Sequence, residues 1–232
     1  MQLLAILGRG VQQLESGGPW VLTQNLEVCD VNGAHLAIRK PIDDQDPHCL
    51  IGGGELNFRA GILLCRLYAS SLKAVVCAYG HRSPYLASIN APSESEVMSE
   101  KLIYFFHETG HSHPKIVVWP RERIVEGRSN TNREIQNAFE LAVEMGFTEV
   151  GIVTVSVHYA RSLLIAHRHL MKPGFSHLKL QCFVSENVIL AETNSFRSNE
   201  EEDMSRMHGS QAFMRTLFYE QRGINCLLAG NY

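Results

Sequence analysis

The chain has 232 residues, of which 45% are hydrophobic and 19% charged, the balance of an ordinary globular protein rather than a disordered or fibrous one. A formal net charge of −3 and the lack of any basic stripe argue against nucleic acid as a partner. The length suits one large domain, or one domain with an insertion, and leaves room for a substantial core.

Six cysteines (Cys29, Cys49, Cys65, Cys77, Cys182, Cys226) form no CxxC pair, and several sit inside apolar runs. Reduced thiols in a cytoplasmic compartment are the expectation. The opening run Leu3 to Leu7 is short, has no basic leader and enters Gly8-Arg9-Gly10 directly, so no signal peptide is expected. No apolar run approaches the ~20 residues that cross a bilayer, and no membrane partner is expected.

Gln2 to Leu7 reads as a first buried strand ending in a turn where Gly8 and Gly10 let the backbone approach a ligand or a neighbouring strand. Trp20 to Val28 and Ala34 to Ile38 flank Asn32-Gly33, a hairpin signal, and the region 17–48 is read as an inserted β-hairpin. Cys49 to Ile51 is a brief apolar segment before Gly52-Gly53-Gly54, after which helical spacing runs to Tyr68. Two readings of the three glycines stay open. One is a run of free N–H donors for an anion at a helix start; the other is a turn chosen for tight packing.

Ala74 to Tyr79 reads as the next parallel strand, and its end delivers Gly80, His81 and Arg82. Pro84 to Pro92 is a loop. Ser93 and Glu96 have capping-box spacing at the head of a helix to Glu108, which leaves Glu94 uncommitted in the first turn. Val97, Met98, Leu102, Phe105 and Phe106 form its buried stripe. His111-Ser112-His113-Pro114 resembles half a metal site but lacks a partner in sequence, so a polar turn is the expectation. Lys115 to Trp119 is a further strand, followed by a charged loop that carries Glu126, Arg128, Ser129 and Asn130.

Thr131 and Glu134 again stand in capping-box spacing, so Thr131 is expected as the N-cap of an amphipathic helix that Gly146 ends. Glu149 to Val155 is a short β-branched strand, and helical pattern resumes from Ser162. His158 and Arg161 therefore fall at a strand-to-helix junction, on one face of the helix that begins there. An imidazole beside a guanidinium suits an anionic ligand, although Arg161 pairing with a surface carboxylate is the plainer alternative. Leu178 to Val184 reads as a fifth strand. Glu186 to Asp203 reads as polar and irregular, and Met204 to Gln221 as a last helix stopped by Gly223.

Strand and helix alternate about five times, the pattern of a three-layer α/β fold with a mostly parallel sheet. Ligands in such sheets bind at the carboxyl edge.

Several motifs also stand in a familiar order. A glycine-ended first strand is followed by Arg59 on a helix, a strand ending at Gly80, and SESEVM over 93–98. Then come Glu126, Ser129, Asn130 and Thr131, and finally V-T-x-x-x-H-x-x-R from Val153 to Arg161. This order resembles the ElyC/SanA/YdcF family of bacterial proteins over roughly three quarters of the chain. The resemblance implies a Rossmann-like fold with charged residues gathered at the sheet's carboxyl edge. Some members of that family are linked to the cell envelope and carry an N-terminal membrane helix; a soluble member is reported to bind S-adenosylmethionine. By motif, the positions carried over are Glu94, Glu126, Ser129, Asn130, Thr131, His158 and Arg161. Ser129 adjoins Asn130 here, where the family has a residue between the serine and the Asn-Thr pair.

The sequence therefore supports a soluble enzyme, transferase or hydrolase, that binds an anionic nucleotide-like or phosphorylated small molecule, with S-adenosylmethionine one possibility. His158 would be its general acid or base, with Glu94 or Glu126 as partner. Gly8, Gly10, Gly52, Gly53, Gly54, Arg59, Gly80, Arg82, Ser129, Asn130, Thr131 and Arg161 would hold the ligand. A non-catalytic sensing or partner-binding module using the same crevice is the alternative. A metal-dependent hydrolase built on His81, His158 and Glu126 ranks third. No GxSxG elbow, HExxH helix or P-loop lysine is present, which sets aside several hydrolase and kinase classes.

Overall fold

Apolar residues run without a break through Leu3–Ile6 because both sides of that strand are covered. Leu4 and Ile6 pack with Leu56, Leu64, Val97 and Leu102, whereas Leu3, Ala5 and Leu7 pack with Ile135, Phe139, Ile165 and Ala166. Each large aliphatic side chain buried this way stabilises the fold by roughly 1.5–3 kcal/mol. A strand with two such faces belongs in the middle of a parallel sheet.

The computed structural model describes residues 1–30, 36–77, 84–110, 114–118, 130–192 and 198–230. In chain order the first half holds β1 (Leu3–Ile6), β2 (Val11–Gln13), β3 (Trp20–Leu22), β4 (Leu26–Val28), β5 (Cys49–Ile51), α1 (Gly54–Leu67), β6 (Ala74–Cys77), α2 (Pro84–Ser88) and α3 (Glu94–Thr109). The second half holds β7 (Lys115–Val117), α4 (Thr131–Glu144), β8 (Glu149–Thr154), α5 (Ser156–Leu170), β9 (Lys179–Val184), α6 (Ser185–Glu192), α7 (Ser198–Gly209) and α8 (Gln211–Leu228). Five strands pair in the order β7-β6-β1-β8-β9, every neighbour parallel. Helices cover both faces, which makes the protein a three-layer, Rossmann-like α/β fold, as the strand–helix alternation predicts. Among the described residues, no helix is long and apolar enough to cross a membrane. All six cysteines are unbridged.

The expected hairpin is built differently. β3 pairs antiparallel with β2, and β4 pairs antiparallel with β5, giving two small two-stranded sheets. The run from Trp20 to Val28 is broken because Thr23, Gln24 and Asn25 turn to cap the start of α1. Gly53 N–H donates to Gln24 O at 2.6 Å, and Gly54 N–H to the Thr23 hydroxyl at 3.0 Å. Ala37 to Arg39 instead bracket Gln13 through two backbone hydrogen bonds. The Asn32-Gly33 dipeptide lies outside the described residues.

The C-terminal part also departs from expectation. The polar stretch after β9 contains α6 and the beginning of α7. Ser210 then divides the last helical region, its hydroxyl accepting from Phe213 N–H at 3.1 Å to start α8. Gly223 does not stop α8. It lies inside the helix because Arg161 packs there: a Cβ at Gly223 would sit 2.7 Å from Arg161 Nη1.

Gly53 fixes the junction between the small sheets and the main one. Its φ is +90°, and a Cβ there would lie 2.5 Å from Val155 Cγ1 at the end of β8. Left-handed backbone costs an L-residue roughly 1–2 kcal/mol, and overpacking roughly 1–3 more. Gly53→Ala is therefore expected to destabilise the protein by about 2–5 kcal/mol in urea unfolding. Adding Val155→Ala should recover the packing part but not the backbone part.

Candidate active site

Strand order places the switch point between β1 and β8, where successive crossovers leave in opposite directions and a crevice forms beyond the strand ends. The turn after β1 delivers Gly8 and Arg9 there. The junction after β8 delivers Ser156 and His158.

α5 begins without a capping side chain on its own N-cap, Val155. A carboxylate from the next crossover does that work: both oxygens of Glu186 accept from Ser156 N–H at 3.0 Å, and Oε1 also accepts from the Ser156 hydroxyl at 2.6 Å. A negative charge on the first amide of a helix is favoured by the dipole as well as by the hydrogen bond. With the helix so anchored, His158 and Arg161 share a face, as their spacing predicts, and Arg161 Nη2 lies 3.1 Å from His158 Nδ1.

The group they meet comes from α8. Glu220 Oε1 lies 3.0 Å from His158 Nδ1, and Oε2 lies 2.8 Å from Arg161 Nε. That second contact is an ion pair rather than an aligned hydrogen bond, since neither atom satisfies the angular requirement. Arg9 closes the cluster. Its Nη1 stands 3.7 Å from Glu220 Oε1, while Nε and Nη2 donate to Gly52 O and Ile51 O at 2.7 and 2.8 Å.

Burial decides the protonation states. His158 is fully buried, and desolvation takes its pKa down to about 3 against the opposing pull of Glu220. For Glu220, burial works against ionisation, but contact with His158, Arg161 and Arg9 outweighs it and brings the carboxyl down to about 2. At neutral pH the imidazole is neutral and the carboxylate charged. Nδ1 has two neighbours, the Glu220 carboxylate at 3.0 Å, which favours a proton on that nitrogen, and the Arg161 guanidinium at 3.1 Å, which can only donate to it.

A hydroxyl meets the other ring nitrogen, Nε2. Thr131 Oγ1 lies 2.7 Å from His158 Nε2. Thr131 is not the N-cap of α4, contrary to expectation. Asn130 is, with Oδ1 accepting from Arg133 N–H at 3.0 Å. The shift of one residue releases Thr131 from capping and turns it toward His158. It also releases Glu134, which is buried and accepts from Gly8 N–H at 3.3 Å.

The remaining positions fall into three groups. Glu94 occupies the first turn of α3, 1% exposed, behind the expected Ser93/Glu96 capping box, which is present. Gly52, Gly53 and Gly54 do not offer free donors: their amides bond to Asn25 O, Gln24 O and the Thr23 hydroxyl, so tight packing is their role. Gly8 is committed to Glu134, Gly10 O accepts from Thr23 N–H, Asn130 is spent on capping and Arg59 is exposed on α1. Gly80, His81, Arg82, Glu126 and Ser129 lie outside the described residues, as do His111 and His113. Among the described residues no three His, Cys, Asp or Glu side chains are placed to hold a metal ion.

Arg9 and Glu220 were not among the sequence candidates. Arg9 stands in the glycine turn of β1. Glu220 carries a recoverable signal, since Ala212, Thr216, Glu220 and Leu227 make one buried stripe of α8 with a single charge on it. A groove of about 550 Å³ lined by Leu63, Leu67, Tyr159, Phe183, Val188 and Glu192 is mostly apolar and includes none of the clustered ionisable groups. No family model, curated protein or solved structure matches this chain.

Two outcomes follow for stability. Glu220→Ala strands two guanidinium groups in the interior and is expected to cost roughly 3–5 kcal/mol in denaturant unfolding. Between pH 6.5 and about 3, the unfolded chain binds a proton at His158 that the folded protein excludes, and from pH 4.5 down to about 2 the same holds at Glu220. Stability is therefore greatest above pH 6.5 and falls with acid. In a Tm-versus-pH series, His158→Gln should flatten the slope between pH 6.5 and 4.5, where Glu220 has not begun to titrate. His169, which burial also holds below the ordinary range, supplies what slope remains.

Proposed function

We propose that the protein is an enzyme acting on a small, negatively charged molecule, a hydrolase or group transferase, with His158 as its general base. One observation carries this reading: a buried imidazole has a carboxylate 3.0 Å from Nδ1 and a hydroxyl 2.7 Å from Nε2. A base must first be within hydrogen-bond reach of the proton it takes, and then hold a free lone pair at working pH. His158 meets both conditions. Arg161 and Arg9, 2.8 and 3.7 Å from Glu220, set positive charge beside the imidazole, which favours an anionic substrate. The motif order that resembles the ElyC/SanA/YdcF family also centres on His158 and Arg161. S-adenosylmethionine suits this cluster poorly, since its sulfonium is a cation and would meet two guanidinium groups.

The test is turnover of anionic chromogenic substrates such as 4-nitrophenyl hemisuccinate and 4-nitrophenyl phosphate. His158→Gln should lower kcat/KM by 10²–10⁴-fold with the fold intact by circular dichroism. Because burial keeps the imidazole unprotonated down to about pH 3, the wild-type rate should stay level from pH 8 to pH 5. A fall centred near the ordinary histidine value of 6.5 would show that His158 is not the base.

A further inference from the structure

We propose that Thr131 is a nucleophile, and that Thr131, His158 and Glu220 form a hydroxyl–imidazole–carboxylate relay for acyl transfer from a small anionic ester or thioester. The inference rests on His158 being the base and adds what that base acts on. The geometry has the parts such a relay needs, with 2.7 Å from Thr131 Oγ1 to Nε2 and 3.0 Å from Nδ1 to Glu220 Oε1. Glu220 is the positioning residue: it lies against Nδ1 and faces the charge that forms on the ring.

The fold places a second hydroxyl near a histidine, and the comparison is instructive. Ser156 Oγ lies 3.4 Å from His208 Nε2, but its proton goes to Glu186 at 2.6 Å. That carboxylate also faces His208 Nε2, at 3.6 Å, the same nitrogen that would have to take the serine proton. His208 is therefore neither oriented from its far side nor free on its near side. Of these two hydroxyls, Thr131 has imidazole and carboxylate on opposite nitrogens of one ring.

The steps balance without any further reagent but water. Thr131 Oγ gives its proton to His158 Nε2 and bonds to the carbonyl carbon, whose π electrons move to oxygen. Thr131 and Asn132 open α4, where amides have no intrahelical acceptor, and these are the donors available to that oxygen. Collapse breaks the bond from carbon to the alcohol or thiol, which leaves with the proton from Nε2. Water then gives a proton to Nε2, attacks the acyl carbon and breaks its bond to Oγ. The proton returns to Thr131, and a carboxylic acid departs.

The experiment is covalent labelling with a small alkyl fluorophosphonate, read by intact mass and peptide mapping. One adduct on Thr131 is expected. It should be absent in Thr131→Val, retained in Thr131→Ser and slowed at least 100-fold in His158→Gln. Glu220→Gln should lower the maximal labelling rate without moving the probe concentration that gives half of it, a split that loss of fold would not produce. An unlabelled wild-type protein, or an adduct on Ser156, overturns the proposal. Turnover separates it from the reading beneath it: if Thr131→Val still hydrolyses 4-nitrophenyl hemisuccinate while His158→Gln does not, the nucleophile is refuted and the base stands. If both variants keep full turnover, both fall.

Discussion

One buried carboxylate, Glu220, ties together three parts of the chain. Arg9 leaves the end of β1, Arg161 and His158 leave the first turns of α5, and the carboxylate itself comes from α8. Arg9 spends its other two donors on the carbonyls of Ile51 and Gly52, so the same group also fixes the strand that leads into α1. Burying charges removes hydration that their attraction does not fully restore, and a well-packed apolar cluster would serve stability as well or better. The cluster is better understood as fixing geometry. It holds an imidazole in one orientation, and α8 is the clamp. Gly223, three residues on from Glu220, belongs to that clamp, because only a residue without Cβ lets the Arg161 side chain lie against the helix.

A second regularity runs along the carboxyl edge of the sheet. Donor groups that a sequence reader assigns to an anionic ligand are met by carboxylates of the chain itself. Glu134 takes the amide of Gly8, Glu186 takes the amide and hydroxyl of Ser156, and Glu220 takes the guanidinium groups. The glycine triplet before α1 is closed by backbone in the same way. Among the described residues, this edge offers a hydroxyl beside an imidazole, with positive charge close by.

Much of this was legible in the sequence, and the misses have physical causes. Strands with two covered faces show as unbroken apolar runs, so the sheet was readable, and the i, i+3 spacing put His158 and Arg161 on one face correctly. Ser93 and Glu96 form the box their spacing predicts. The same pattern at Thr131 and Glu134 misled because Asn130, one residue earlier, is at least as good a cap, and local sequence does not choose between two good caps. The choice was made by tertiary contact: Thr131 had His158 to bond and Glu134 had Gly8. The expected single strand from Trp20 to Val28 was divided by another demand, since Thr23 to Asn25 were needed to satisfy the amides at the start of α1. Glu220 lay 62 positions from His158, and its place on the buried stripe of α8, as the one acidic residue of that helix, is what set it apart.

The charges around His158 also explain why a fully buried imidazole is fit to take a proton. Burial alone would make its conjugate acid prohibitively unfavourable, and an ionised carboxylate alone at 3.0 Å would draw a proton onto the ring permanently. Arg161 and Arg9 stand between these extremes. They keep Glu220 ionised, and by their own charge they temper what it does to the ring, so the resting imidazole stays neutral. When a proton arrives from the hydroxyl side, the carboxylate is already in place, and no group has to move to stabilise the charge. Preorganisation of this kind lowers a barrier because the reorganisation was completed on folding.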